Sequence, residues 1–311
     1  MKAFIIKFIS SRIVQGIPVL LGITIVSFLF LHLASSDPAS IRLSAGGGVP
    51  DPTALADMRH QMGLDKPLWE QYLAWAKDFV TGQWGQSFVS GQSISHSLGE
   101  ALPYTLSLAI LSMALTLGIS IPLGLSMARH QNSHWEKLVR GMTFLLSSIP
   151  SFVIALVLLY WLSYSWHLIP VLAMNHSTGV ILPAITLALV MSSRYIRQVR
   201  TAALDEYAKP YCKSLALRGL KDSTILWKFI LPAITPTLAT LTALSFGSLL
   251  GGTVIVETIF NWPGLGQLLL LSITNRDYPV VQYIVVWMSI SYLIVNLLAD
   301  LLILKVDPRS R

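Results

Sequence analysis

Six apolar runs divide the chain, at about 13–34, 105–128, 142–164, 179–193, 236–256 and 281–304. A helix needs about 20 residues to cross a hydrocarbon core, and all but the fourth reach that length without help; the fourth must be extended by polar turns. Between the fourth and fifth runs lies a stretch of different character, "YAKPYCKSLALRGLKDSTILWKFILP", residues 207–232. Within it Tyr207, Tyr211 and Leu215 recur every four residues, which predicts an apolar stripe on one face of a short helix. Pro210 suits a first helical turn, and Gly219 stands where a helix is ended. Asp222 or Ser223 can cap a second short helix that returns the chain to the fifth run at Pro232. Between the first two runs, "GLDKPLWEQYLAWAKDFV" carries Leu68, Tyr72, Trp75, Ala76 and Phe79 near helical spacing, which predicts a small helical cap.

Composition agrees with the pattern. Of 311 residues, 53% are hydrophobic and 12% charged, and the mean hydropathy is +0.63, whereas a soluble domain has about a quarter of its residues charged. The expected fold is therefore all-α, a polytopic membrane protein with six transmembrane helices. The formal charge of +7 invites a nucleic-acid reading, but the basic residues alternate with the spans instead of forming a stripe interleaved with aromatics. Placing the N-terminus in the cytoplasm puts 17 of the 22 Lys and Arg residues on the inner side, eight of them between Arg194 and Lys228, as the positive-inside bias requires. Both termini are then cytoplasmic, the region of about 35–102 is an extracytoplasmic helical cap, and nucleic acid is not a partner. The first run exceeds the 7–15-residue core of a secretory signal, so a retained anchor is expected.

The spans show no ionisable residue at mid-depth of the kind a proton-coupled carrier keeps at high cost. Glu257 and Asp300 come nearest, and both fall near predicted helix ends, where a carboxylate can reach water. No phosphate-cradling, HExxH or GxSxG pattern occurs, so the chain is expected to be no enzyme. Its single cysteine, Cys212, has no ligand or redox partner in sequence. The spans do contain small residues and helix breakers: Gly118, Pro122 and Gly124; Ser147 and Ser148 in "SSIPSF"; and Gly247, Ser248, Gly251 and Gly252 in "FGSLLGG". Such residues either let helix backbones approach closely or line a path that opens and closes.

Gly219, nine further residues and then "FILP" resemble the cytoplasmic EAA loop of bacterial ABC importer permeases. "ETIFNWPGLGQLLLLSITNRDYPVVQ" (257–282), "LDKPLWEQYLA" (64–74) and the terminal "DPRSR" (307–311) are similar to signatures of the dipeptide, oligopeptide and nickel branch. "LALRGLKD", "GGTVIVETIF" and "SDPA" look most like its B-type nickel permease. The resemblance implies an inner-membrane permease subunit in which residues 1–102 form the first helix and cap. Residues 103–311 then form the transporter's transmembrane domain, with a coupling loop at about 194–232. It implies a second homologous permease, two ATP-binding subunits that hold ATP and Mg, and an extracytoplasmic substrate-binding protein; this chain itself would bind no cofactor. The ATPase-coupling residues would be Tyr207, Tyr211, Leu215, Arg218, Gly219 and Pro232. The cargo would be nickel or a nickel chelate, with a dipeptide or oligopeptide as the alternative. For nickel, imidazole and carboxylate ligands are suitable, and His32, Met174 and His176 are the transient metal candidates.

Overall fold

The computed structural model describes residues 2–33, 37–44, 51–168 and 179–306. These form α1 (Lys2–Leu33), α2 (Pro38–Ser44), α3 (Pro52–Gln61), α4 (Leu68–Thr81), α5 (Ile94–Arg129), α6 (His134–Ser148), α7 (Ser151–Leu158), α8 (Ile181–Tyr207), α9 (Pro210–Leu217), α10 (Asp222–Ile225), α11 (Leu231–Ile259), α12 (Leu265–Thr274) and α13 (Tyr278–Val306). π-helical turns extend α7 over Leu159–Ser165 and join α10 to α11 over Leu226–Ile230. Among the described residues the only β pairing is an isolated bridge between Gln86 and Ser93.

By length and composition, four stretches among the described residues can cross a membrane: Phe8–Leu29, Ile94–Arg129, Asp222–Gly247 and Tyr278–Leu298. The third expected run is not one straight helix. The chain breaks at Ile149–Pro150 and turns by 103° between α6 and α7, and only the bent pair together makes a fifth span. Pro150 has no N–H to donate and restricts the residue before it to extended backbone, and Ile149 is extended (φ −92°, ψ 127°). The fourth run lies on α8, which is 27 residues long but carries Arg194, Arg197, Arg200, Asp205 and Glu206 in its second half. Its apolar half alone is too short to span. Among the described residues there are thus four spans, or five with the bent pair, against the six expected.

The residues divide into two units. The first comprises 1–104 and 264–293. Gly16 of α1 is buried, and a Cβ added there would meet Leu293 Cδ1 of α13 at 3.3 Å, so a small residue sets this approach. The cap helix α4 forms as its pattern predicts and ends at Gly82 in the left-handed region (φ 76°), which a residue without Cβ adopts at least cost. Its Tyr72, Trp75 and Phe79 face inward. Trp75 and Phe79 lie 5.9 and 5.8 Å from the Tyr283 ring of α13, and Trp84 joins them at 5.5 Å. Asp277, buried just before α13, accepts the hydroxyl of Ser87 and the N–H of Phe88 at 3.1 Å, closing the 85–93 turn onto the start of that helix.

The second unit comprises 105–263 and 294–311. Its core packs α5, α7, α8 and α11 around Leu108, Met113, Ala155, Leu187, Tyr195 and Phe260. One face of α5 is lined by fully buried Thr105, Ser112, Thr116 and Ser120, and the same face carries Gly124. There α5 and α8 come so close that a Cβ on Gly124 would sit 2.6 Å from Val199 Cβ and 3.0 Å from the Ile196 carbonyl oxygen. At Gly118 an added Cβ meets nothing within 4 Å. Identical substitutions should therefore have opposite consequences. Gly124→Ala forces the helices apart and is expected to cost about 1–3 kcal/mol. Gly118→Ala is expected to be neutral or stabilising by up to about 1 kcal/mol through helix propensity. Thermal unfolding of the two variants in detergent checks the contrast.

Candidate functional site

The basic excursion after α8 is built around one residue that the apolar pattern gave no reason to notice. Glu206, in the last turn of α8, is almost wholly buried. It accepts the Lys209 ammonium at 2.5 Å and the Tyr211 hydroxyl at 2.8 Å, while its backbone oxygen receives the Cys212 thiol at 3.3 Å. Burial, and then the bond to Glu206, hold the Tyr211 phenol above its ordinary pKa, so it remains a donor at neutral pH. A single carboxylate and its carbonyl thus fix the elbow between α8 and α9.

Lys209 is extended (φ −71°, ψ 145°) and Pro210 opens α9 at its first turn, as the sequence indicates. The helix ends where Gly219 allows it to. Gly219 has φ +80°, its N–H donates to the Ala216 carbonyl at 2.9 Å, and the Leu220 N–H reaches back to the Leu215 carbonyl at 3.3 Å. This is the two-bond Schellman closure, which satisfies carbonyls that the last turn leaves free. α10 starts after Lys221 without a side-chain cap, so neither Asp222 nor Ser223 caps it. Asp222 instead lies 3.9 Å from Arg129 at the end of α5. Pro232 stands in the first turn of α11.

The apolar stripe, whose residues the resemblance assigns to ATPase coupling, turns to the chain's own core. Tyr207 ends α8 and does not belong to α9, and both it and Leu215 pack on a core of Leu125, Val199, Ala203, Cys212, Ile225 and Ile230. Cys212 is buried in that core. Tyr211 lies at the border, and the outward surface is Leu217, 89% exposed, among exposed Lys213, Ser214, Ala216 and Arg218. An apolar side chain so displayed on a basic helix has no partner within the chain's described residues.

Residues 120–311 match the family described as the inner membrane component of binding-protein-dependent transport systems, and residues 5–109 match its N-terminal family. The chain belongs to this permease family. It is 32% identical over 308 residues to the glutathione transport system permease protein GsiC of Salmonella paratyphi A, covering 98% of this chain and 99% of that protein. It is 31% identical to the probable peptide ABC transporter permease protein y4tP of Sinorhizobium fredii, over 98% and 99%. It is 29% identical to the metal-staphylopine import system permease protein CntB of Staphylococcus aureus, over 98% of each. Among solved structures, an inward-facing form of the MetNI methionine ABC transporter matches with a TM-score of 0.59 at 18% identity, over 68% of this chain and 96% of that one. That likeness concerns the fold. As an inner-membrane permease, the protein is multi-pass, in keeping with its apolar helices.

The permease's other sequence-derived positions divide. His32 is described, with Nδ1 2.9 Å from the Phe28 carbonyl oxygen and Nε2 3.0 Å from Gln71 Oε1, and a neutral ring donates to one of the two. Met174 and His176 lie outside the described residues. Among the described residues no group of three or more His, Cys, Asp or Glu comes together. Ser147 and Ser148 are exposed at the end of α6, next to the 103° bend, and their hydroxyls return to the Phe144 carbonyl at 2.9 and 3.0 Å. Gly247 is half-buried, and α11 continues as regular helix past it and through positions 248, 251 and 252. Glu257 does not reach water as expected from its place near a helix end. It is fully buried and accepts the Thr105 hydroxyl at 2.8 Å. An apolar groove of about 530 Å³ lies between α5, α11 and the end of α13, with Leu117, Thr235, Thr242 and Phe246 on its walls.

The Schellman closure gives a direct test. Gly219→Ala places a Cβ in the left-handed region at a cost of about 1 kcal/mol. Amides at the end of α9 should then exchange with solvent roughly fivefold faster by hydrogen–deuterium exchange, while those of α8 keep their protection.

Proposed function

We propose that this permease is the pore-forming subunit of an ATP-driven importer, and that α9 is the helix through which separate ATP-binding subunits drive it. The observation that carries the reading is the pairing of the family assignment with a short, rigidly tied helix that shows one apolar side chain and several cations to solvent. The excess of Lys and Arg around α9 supports a cytoplasmic position. ATP-dependent closure of two nucleotide-binding partners would displace α9, and the Glu206 elbow would pass that displacement to α8 and, through Ile225 and Ile230, to α11. Such a lever needs a fixed hinge, and the bonds of Glu206 and Gly219 supply its two ends. A second homologous permease would complete the pore, and an extracytoplasmic binding protein would deliver the cargo. ATP and Mg would be held by the partners.

The cargo we infer belongs to the peptide and metal-chelate class, with nickel entering as a complex rather than as a bare ion. Support comes from relatives named for glutathione, peptide and metal-staphylopine transport. The second reading, transport of a di- or oligopeptide, rests on two of those same relatives. Calorimetry of the cognate binding protein with nickel alone, with a nickel–histidine complex and with dipeptides separates them. Binding of the complex but of neither nickel alone nor peptides supports the chelate, whereas peptide binding alone supports the second reading.

For the coupling role, Leu217→Asp puts a carboxylate on the most exposed apolar position of α9. It should weaken association with the ATP-binding subunits about 30-fold, the effect of losing roughly 2 kcal/mol at an interface anchor. Uptake should fall accordingly, while the variant's size-exclusion profile and thermal unfolding stay unchanged, because Leu217 takes no part in the core. Undiminished uptake by Leu217→Asp would sink the assignment.

A further inference from the structure

The cap helix α4 has two apolar faces, and only one is used within its unit. On a helical projection Tyr72, Trp75 and Phe79 share the inward face. Trp69, Leu73 and Val80, with Ala76 between them, fall in a second narrow stripe beside it, since their spacings of four, three and four residues stack on one side of a helix. That stripe is open: Trp69 is 64%, Leu73 56% and Val80 84% exposed. Isolated exposed apolar residues need no explanation, but a continuous row of this kind marks a contact surface.

The contacts of α4 give its depth. Tyr72 exchanges a hydrogen bond with Thr24 at 2.9 Å, and its ring meets Phe28 at 5.5 Å; both partners lie inside the apolar span Phe8–Leu29. On the other side Trp75 and Phe79 pack on Tyr283, five residues inside the span Tyr278–Leu298. Two separate membrane helices therefore place α4 alongside their ends and not beyond them. At the helical rise of about 1.5 Å per residue, Tyr283 is roughly 7–8 Å below the start of its span, which is the depth of the boundary between headgroups and acyl chains. Leu21 and Ile17, one and two turns deeper than Thr24 on that side of α1, are themselves about half exposed, as apolar side chains that meet lipid would be. Lys66 and Lys77, both exposed, stand at the stripe's edge, where their stems can lie along apolar surface and their ammonium groups reach phosphates.

We propose that α4 lies in the membrane interface on the cap side, with Trp69, Leu73 and Val80 seated in the headgroup–acyl boundary. The cap is then a ledge anchored in lipid beside the outer ends of α1 and α13, and not a domain standing clear in water. This inference needs only the membrane spans and does not depend on the cargo.

The test uses the assembled transporter in liposomes of phosphatidylethanolamine and phosphatidylglycerol. Cys212 is the only cysteine, so Cys212→Ser gives a background in which Leu73→Cys, Val80→Cys and, on the polar side, Ala74→Cys are each spin-labelled. Collision with oxygen, which concentrates in the bilayer, is compared with collision with chromium oxalate, which stays in water. Labels at 73 and 80 should favour oxygen and the label at 74 should favour chromium oxalate, a reversal within one helical turn. Access of chromium oxalate to 73 and 80 equal to that at 74 would put the stripe in water and overturn the proposal. Protection of 73 and 80 from both reagents would show a protein partner on the stripe and overturn it equally.

Discussion

In a hydrocarbon solvent a helix gains little by exchanging lipid for leucine, so helix association rests on how closely backbones can approach. The contact of Gly124 with Val199 and the Ile196 carbonyl is where this permease meets that constraint. It fixes α5 against α8 at a distance no side chain can share. The hydroxyls of Ser112 and Thr116 on the same face return to the carbonyls of Leu108 and Ser112 in their own helix, so they occupy little space and leave no hydrogen left over. With α5 and α8 fixed, the basic end of α8 is fixed too. Glu136 at the start of α6 accepts both Arg140 at 2.6 Å and Arg200 of α8 at 2.5 Å. The Arg197 guanidinium donates to the Thr143 carbonyl at 3.1 Å. α6 is thereby held along α8 even though the chain turns sharply before α7.

The α8–α9 elbow follows from the same base. A short helix such as α9 has too few internal bonds to persist alone, and here its two ends are tied separately, to Glu206 at the start and through Gly219 at the finish. The apolar side that could have met a partner is spent on the chain's own core. What is left for a partner is a mixed surface centred on Leu217, whose apolar contact and surrounding cations suit a groove with acidic edges better than a purely apolar one.

Much of this was legible in the sequence, and the gaps have physical causes. Helix positions, the roles of Pro210 and Gly219, and the inward set Tyr72, Trp75 and Phe79 of the cap follow from periodicity and from backbone chemistry that only Pro and Gly supply. The direction of the α9 stripe did not, because period alone gives a face and not its partner. Tyr207, Tyr211 and Leu215 form a stripe whether it turns to the bundle or away from it. Glu206 was missed for a similar reason: a carboxylate in a charged loop looks solvated until the loop folds back over it. The small residues could not be ranked either. Gly118 and Gly124 are equivalent in sequence, and only the crossing point of α8 distinguishes them. Nor does hydropathy reveal the break at Pro150, since the run remains apolar through the turn.

Glu257 shows how weak ties can serve a protein that has to rearrange. Its burial with Thr105 joins α11 to α5, and the Tyr195 hydroxyl, donating to the Leu241 carbonyl at 2.9 Å, joins α8 to α11. Side-chain hydrogen bonds between membrane helices average about 0.6 kcal/mol and seldom exceed about 1.7, since the separated helices find other partners. Bonds of that size select one register among several without locking it. The Gly124 crossing, by contrast, is a steric fit that cannot slide without a clash. A bundle made this way has a stiff pair, α5 with α8, and a third helix, α11, held to it by bonds that a few kcal/mol can exchange. α11 is also the helix that α9 and α10 lead into, so force applied to the elbow reaches first the element whose attachments are easiest to remake.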